Sequence, residues 1–112
     1  MKTLPASILF LGVLLFVAFS AQAADLPTFK LIMKSGQLIP ETIEVPANTK
    51  FRLEITNEGT DAAEFESLEL RKESVLAPGV TRTLVFAPMK PGRYPFFDDF
   101  NPETAKGFIV AK

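Results

Sequence analysis

The stretch Lys50-Phe51-Arg52-Leu53-Glu54-Ile55-Thr56 sets the fold class. Phe51, Leu53 and Ile55 alternate with Arg52, Glu54 and Thr56, so every second side chain is apolar. Successive side chains on an extended backbone leave from opposite faces, so this period marks a half-buried strand. The pattern continues outward in both directions. Upstream, residues 29–34 read as a first strand ending at the turn signal Ser35-Gly36. Residues 37–40 and 42–45 are short extended pieces, where Pro40 and Pro46 argue against helix. Downstream, Asn57-Glu58-Gly59-Thr60-Asp61 is a loop, followed by strands at 63–68, 73–76 and 80–86. Between Glu64 and Val75 no turn signal is visible, which leaves room for one helical turn. Ala77-Pro78-Gly79 and Pro88-Met89-Lys90-Pro91-Gly92 are further turns. About seven or eight short strands, with no capped amphipathic segment of helical length, predict an all-β, two-sheet antiparallel sandwich or small barrel.

The last turn leads into Tyr94-Pro95-Phe96-Phe97-Asp98-Asp99-Phe100-Asn101-Pro102-Glu103-Thr104-Ala105-Lys106-Gly107. An aromatic strand here spills two adjacent carboxylates into a polar loop and closes through Gly107 into the apolar strand Phe108-Ile109-Val110. A loop held between two strands is a common place for a ligand site.

Chemistry is narrowed by what the chain lacks. It has 112 residues with no His and no Cys, which removes thiol and imidazole nucleophiles, structural zinc sites and type 1 copper. A basic start at Lys2, the apolar run of residues 8–19 and the small-x-small pattern Ala21-Gln22-Ala23 match a secretory signal peptide. The run is short for a membrane span, which needs roughly 20 residues. The expected organisation is therefore a signal peptide over residues 1–23 and one domain over 24–112, placed in the periplasm. Removing Lys2 takes the net charge from −1 to −2, and no basic block for nucleic acid remains.

Two segments together resemble the cupredoxin family, small Greek-key sandwiches that usually carry copper. One is Phe51-Arg52-Leu53-Glu54-Ile55-Thr56-Asn57-Glu58-Gly59; the other is Pro91-Gly92-Arg93-Tyr94 followed by Phe96-Phe97, the loop and Gly107. Carried over by spacing, the blue-copper ligand positions fall on Glu64, Asp98, Asn101 and a site near Ala105. All four depart from the His, Cys, His and Met of that pattern, so the resemblance implies an oxygen-rich metal site in place of an electron-transfer copper. The variant looks like the cupredoxin-like domains of bacterial ferrous-iron uptake systems of the EfeO type. That implies a copper- or iron-binding accessory with a role in Fe(II) oxidation. Its implied partners are an iron permease or a periplasmic iron-binding protein, and a homodimer that adds ligands.

The ligand set expected on this basis is Glu64, Glu66, Asp98, Asn101 and Glu103, with Asp99 and Met33 in a second tier. Oxygen donors suit hard cations, and Cu(II) accepts them too. Glu64 and Glu66 leave one face of a strand and repel each other unless a cation sits between them. Asp98 and Asp99 diverge, Asp98 inward. Turn chemistry accounts equally for Asp98, Asp99 and Asn101-Pro102, and core packing accounts for Met33. On the ligand reading, Glu66→Gln and Asp98→Asn both leave the fold intact and weaken metal binding. The competing reading is a metal-free sandwich that serves as an interaction module of the cell envelope.

Overall fold

The computed structural model describes residues 26–112, so the signal-peptide expectation for residues 1–23 lies outside the described residues. Among the described residues there are nine strands and no helix. They are β1 (Thr28–Lys34), β2 (Gln37–Ile39), β3 (Thr42–Val45), β4 (Phe51–Asn57), β5 (Ala63–Ser67), β6 (Lys72–Leu76), β7 (Thr81–Phe86), β8 (Gly92–Asp98) and β9 (Lys106–Ala111). A four-stranded sheet runs β2-β1-β4-β7 and a five-stranded sheet runs β3-β9-β8-β5-β6.

The two-sheet sandwich agrees with the sequence pattern, with two refinements. First, the count is nine because the short pieces 37–39 and 42–45 are separate strands in different sheets; the chain changes sheet across Ile39-Pro40. Second, β1 pairs with β4 and β3 with β9 in parallel, while the other pairings are antiparallel. A parallel pair needs a crossover connection, and for β1 and β4 the excursion of β3 into the other sheet supplies it. No helical turn forms between Glu64 and Val75. Leu68–Arg71 is instead the turn of the β5–β6 hairpin, with Arg71 at φ 55°. At the β1–β2 hairpin, Ser35 and Gly36 both have positive φ, 49° and 81°. This is the two-residue turn whose twist matches the flanking strands.

Alternation puts Phe51, Leu53 and Ile55 inside as expected. A chain of rings crosses the core from one sheet to the other. Phe51 stacks on Phe86 at 4.9 Å, Phe86 meets Phe65 edge-on at 6.5 Å, and Phe65 stacks on Phe96 at 5.2 Å. Met33 is fully buried in this core, so packing and not ligation accounts for it. Met89 is buried as well. Tyr94 is half-buried, and its hydroxyl donates to the Lys90 carbonyl at 2.7 Å, tying down the turn before β8. Gly107 has a packing reason: a Cβ there would collide with the Glu41 carbonyl and press on the Phe96 ring. Without it, Phe108 N–H reaches Glu41 O at 2.8 Å and β3 lies close along β9.

Candidate metal site on the outer sheet face

Side-chain alternation in the five-stranded sheet divides the predicted ligands between two sides. In β5, Ala63, Phe65 and Ser67 face inward, leaving Glu64 and Glu66 outward. In β8, Phe96 and Asp98 face inward, leaving Pro95 and Phe97 outward. The β5–β8 register pairs Phe65 with Asp98 and Glu66 with Phe97. Asp98 therefore shares the inner side with Phe65, and Asp99, one residue on, comes out beside Glu64.

On the outer side, Glu64, Glu66 and Asp99 each offer a carboxylate oxygen within 4.8 Å of the others. A fourth carboxylate, Glu73, stands directly across from Glu66 on β6. Among the described residues the ion pairs are Lys30 with Glu54 and Lys112 with Glu44, so no basic side chain neutralises the group. Desolvation and the crowding of like charges raise carboxyl pKa values. Partial desolvation, then the charges of Asp99, Glu66 and Glu73 and a hydrogen bond with Glu73, hold the Glu64 carboxyl above its ordinary range. Glu66 is raised by desolvation and by the charges of Glu73 and Asp99. Like charges gathered without a counter-ion favour the proton, and any cation that replaces it.

The inner side is chemically different. Asp98 is 2% exposed, and both of its oxygens are engaged. Oδ1 accepts the N–H groups of Glu64 at 2.9 Å and Phe100 at 3.0 Å, and Oδ2 accepts the Asn101 side-chain amide at 3.1 Å. Asp99 N–H in turn donates to Glu64 O at 2.9 Å, so the loop is strapped to β5. Nearby, buried Asn57 donates to the Asp61 and Leu76 carbonyls and accepts from Gly59 N–H, ordering the β4–β5 loop. A cavity of about 160 Å³ between these loops is lined by Asn57, Asp61, Ala63, Asp98 and Asn101.

This cavity allows a test of whether the inherited copper position fits a metal. By face, the β5 residue that lines this cavity with Asp98 is Ala63, not Glu64, because Glu64 points to the other side of the sheet. Ala63 and buried Ala105 offer no donor, Asp98 commits both oxygens to N–H groups, and Asn101 turns its amide nitrogen to Asp98, which leaves its side-chain oxygen as the one neutral donor among the four. These residues do not fit a copper ion. The outer trio does fit a cation by donor type, three oxygens suited to a hard ion.

Of the sequence-predicted ligands, then, the structure gathers Glu64 and Glu66 and adds Asp99 from the second tier. It sets Asp98 and Asn101 on the inner side as a hydrogen-bonded clasp, and Glu103 stays exposed in the loop outside the trio. In Asp98→Asn the amide oxygen can keep both the Glu64 and Phe100 N–H groups, and only the amide nitrogen, at the Oδ2 position, meets the Asn101 side-chain amide, which must flip to accept from it. Sequence reasoning missed Glu73 and Asn57. Glu73 was visible as a charge on a period-2 strand, but its position across from Glu66 follows only from the hairpin register.

The sequence pattern of the family described as "Cupredoxin-like domain" matches residues 7–111. An uncharacterised protein of Rickettsia prowazekii is 41% identical over 81 residues, which are 72% of this chain and 65% of that protein. The chain thus spans less than two thirds of this relative. Among solved structures, auracyanin from Roseiflexus castenholzii superposes with a TM-score of 0.65 at 13% identity, covering 80% of this chain and 99% of that one. A purple cupredoxin from Nitrosopumilus maritimus gives 0.56 at 17%, covering 75% and 99%. The metal-binding domain of a Streptococcus pneumoniae Cu(I)-exporting P-type ATPase gives 0.67 at 13%, covering 76% and 84%. At these identities the structural likenesses speak for the fold alone, whereas the family match extends over nearly the whole sequence. The chain belongs to the cupredoxin-like domain family.

Proposed function

We propose that this protein is an exported metal-binding accessory of ferrous-iron uptake, with its ion held on the outer sheet face by Glu64, Glu66 and Asp99. The observation that carries the reading is the approach of three carboxylates to within 4.8 Å with no basic partner among the described residues. An arrangement that raises its own carboxyl pKa values is unfavourable for the bare fold and favourable for a bound cation. Membership of a cupredoxin-like family supports a copper-related role. A neighbour such as the Cu(I)-exporting ATPase domain shows that this fold can carry copper elsewhere. Oxygen-only donors favour Cu(II), Mn(II) or iron over Cu(I), which prefers sulfur. With no Cys or His, the chain's own residues position the ion and the redox chemistry is the ion's. An iron permease or a periplasmic iron-binding protein is the proposed recipient.

The test is isothermal titration of metal-free mature protein with Mn(II) and with Cu(II). Saturable one-to-one binding, lost in Glu66→Gln and in Asp99→Asn, is the expected result. Binding unchanged in both variants would overturn the assignment of these ligands. No binding of either ion would favour the metal-free interaction module.

A further inference from the structure

We infer that the outer face of the five-stranded sheet is a self-complementary surface on which a second copy of this chain docks. The occupant is identified by the order of side chains across the sheet. β8 is the central strand, flanked by β9 on one side and β5 then β6 on the other. Registered pairs Lys106–Phe97, Phe97–Glu66 and Glu66–Glu73 form one row across the face. Its sequence is cation, aromatic, anion, anion. A two-fold axis along β8 exchanges the two flanks, because an isologous interface sets residue i of one copy against j of the other, and j against i. Lys106 of each copy then faces Glu66 and Glu73 of its mate, and Phe97 meets Phe97 on the axis.

The surface between those charges is apolar. Pro95, Phe97, Pro102 and Phe108 line an open hollow of about 380 Å³ with Lys106 at its edge. At the end of β5, on the opposite flank from Phe108, Leu68 is 73% exposed. The same rotation carries Phe108 of one copy toward Leu68 of the other. Unpaired carboxylates beside an apolar hollow call for a partner that brings cations and an apolar surface together, and this chain's own face does both. Two members are discordant: Asp99, beyond Phe97 at one end of the axis, and Arg93, exposed on β8 at the other end with its guanidinium 4.1 Å from the Phe108 ring centre. Like charges therefore oppose at both ends, and Arg93 must leave that ring for Phe108 to meet Leu68. The face covers on the order of 500 Å² from strand spacing and length, below the roughly 800 Å² per partner of a standard interface. The dimer is accordingly weak and concentration-dependent.

The inference is independent of the metal reading and is tested with chelator present throughout. Sedimentation equilibrium of the mature protein into the millimolar range should show a reversible monomer–dimer equilibrium. Lys106→Glu and Glu66→Lys should each weaken association by about tenfold or more, with Lys106→Gln intermediate. An equimolar mixture of Lys106→Glu and Glu66→Lys should associate again, since each then supplies the charge the other needs. Asp99→Asn should tighten the parent dimer. Circular dichroism confirms that each variant keeps its β spectrum. A parent monomeric throughout, a dimer undisturbed by either charge reversal, or a mixture of folded variants that fails to associate would each overturn the proposal.

Discussion

Asp98 and Asp99 are adjacent in sequence and opposite in circumstance. Asp98 is buried and satisfied by three donors, two from backbone and one from Asn101. Asp99 is exposed beside Glu64 and Glu66, and no ion pair among the described residues reaches it. The difference shows one carboxylate spent on the fold, while those outside are, on the proposed reading, left for a cation. A carboxylate whose oxygens are filled by N–H groups is a structural part, whereas carboxylates that face one another are proposed here as a binding part. One residue of phase along a strand decides between the two roles.

Several substitutions sharpen or break this contrast, and the largest effect belongs to the inner side. Asp98→Ala leaves the Glu64 and Phe100 N–H groups and the Asn101 amide without their acceptor, a loss of about 3 kcal/mol from buried, unmet donors. For a domain of this size that lowers Tm on the order of 15 °C, measured by thermal unfolding with and without chelator. A loss near zero would place Asp98 outside the clasp. Asn101→Ala removes one of the three bonds and should cost about 1 kcal/mol, read from urea midpoints. On the outer side the sign reverses. Glu66→Gln and Asp99→Asn relieve repulsion and should raise the metal-free Tm slightly, by a degree or two at ordinary salt, and less at high salt. If either lowers it, the trio is held by partners not seen here.

The pH dependence follows the same logic and is the smallest effect. Glu64 and Glu66 have folded-state pKa values raised above the ordinary 4.5. Such groups add stability that is fully present below the unfolded value and is lost as pH rises through the folded values. From neutral pH toward 5, then, the difference in stability between Glu66→Gln and the parent should shrink, because the parent's carboxyls take up protons. A difference that grows on acidification would contradict the shifts, and parallel unfolding curves for the two proteins are the measurement.

Much of this was legible in the sequence. Phe51, Leu53 and Ile55 announced the sheet, and Gly107 and Ser35-Gly36 marked the backbone contacts and turns they make. Glu64 and Glu66 were readable as one outward pair, and Asp98 as inward. What the chain did not reveal is that these two statements are incompatible as a single ligand set. Whether Asp98 shares a side with Glu64 or with Phe65 depends on the β5–β8 register, a pairing across more than thirty residues with no local signature. Spacing put the inherited first ligand on Glu64, one residue past Ala63, and a one-residue slip on a strand changes the face. Glu73 was hidden for the same reason, since the Leu68–Arg71 turn that brings it to Glu66 carries no Gly or Pro.

On the proposed reading a cation goes to the outer carboxylates and not to the loop end where the family pattern would put it. Mn(II) titrated substoichiometrically into isotope-labelled mature protein tests this directly, because the paramagnetic ion broadens the amide signals nearest to it. Broadening is expected to centre on Glu66, Glu73, Phe97 and Asp99, with Gly36, Asn57 and Asp61 spared. Broadening centred on Gly36, Asn57, Asp61 and Asn101 would contradict it and return the metal to the inner cavity.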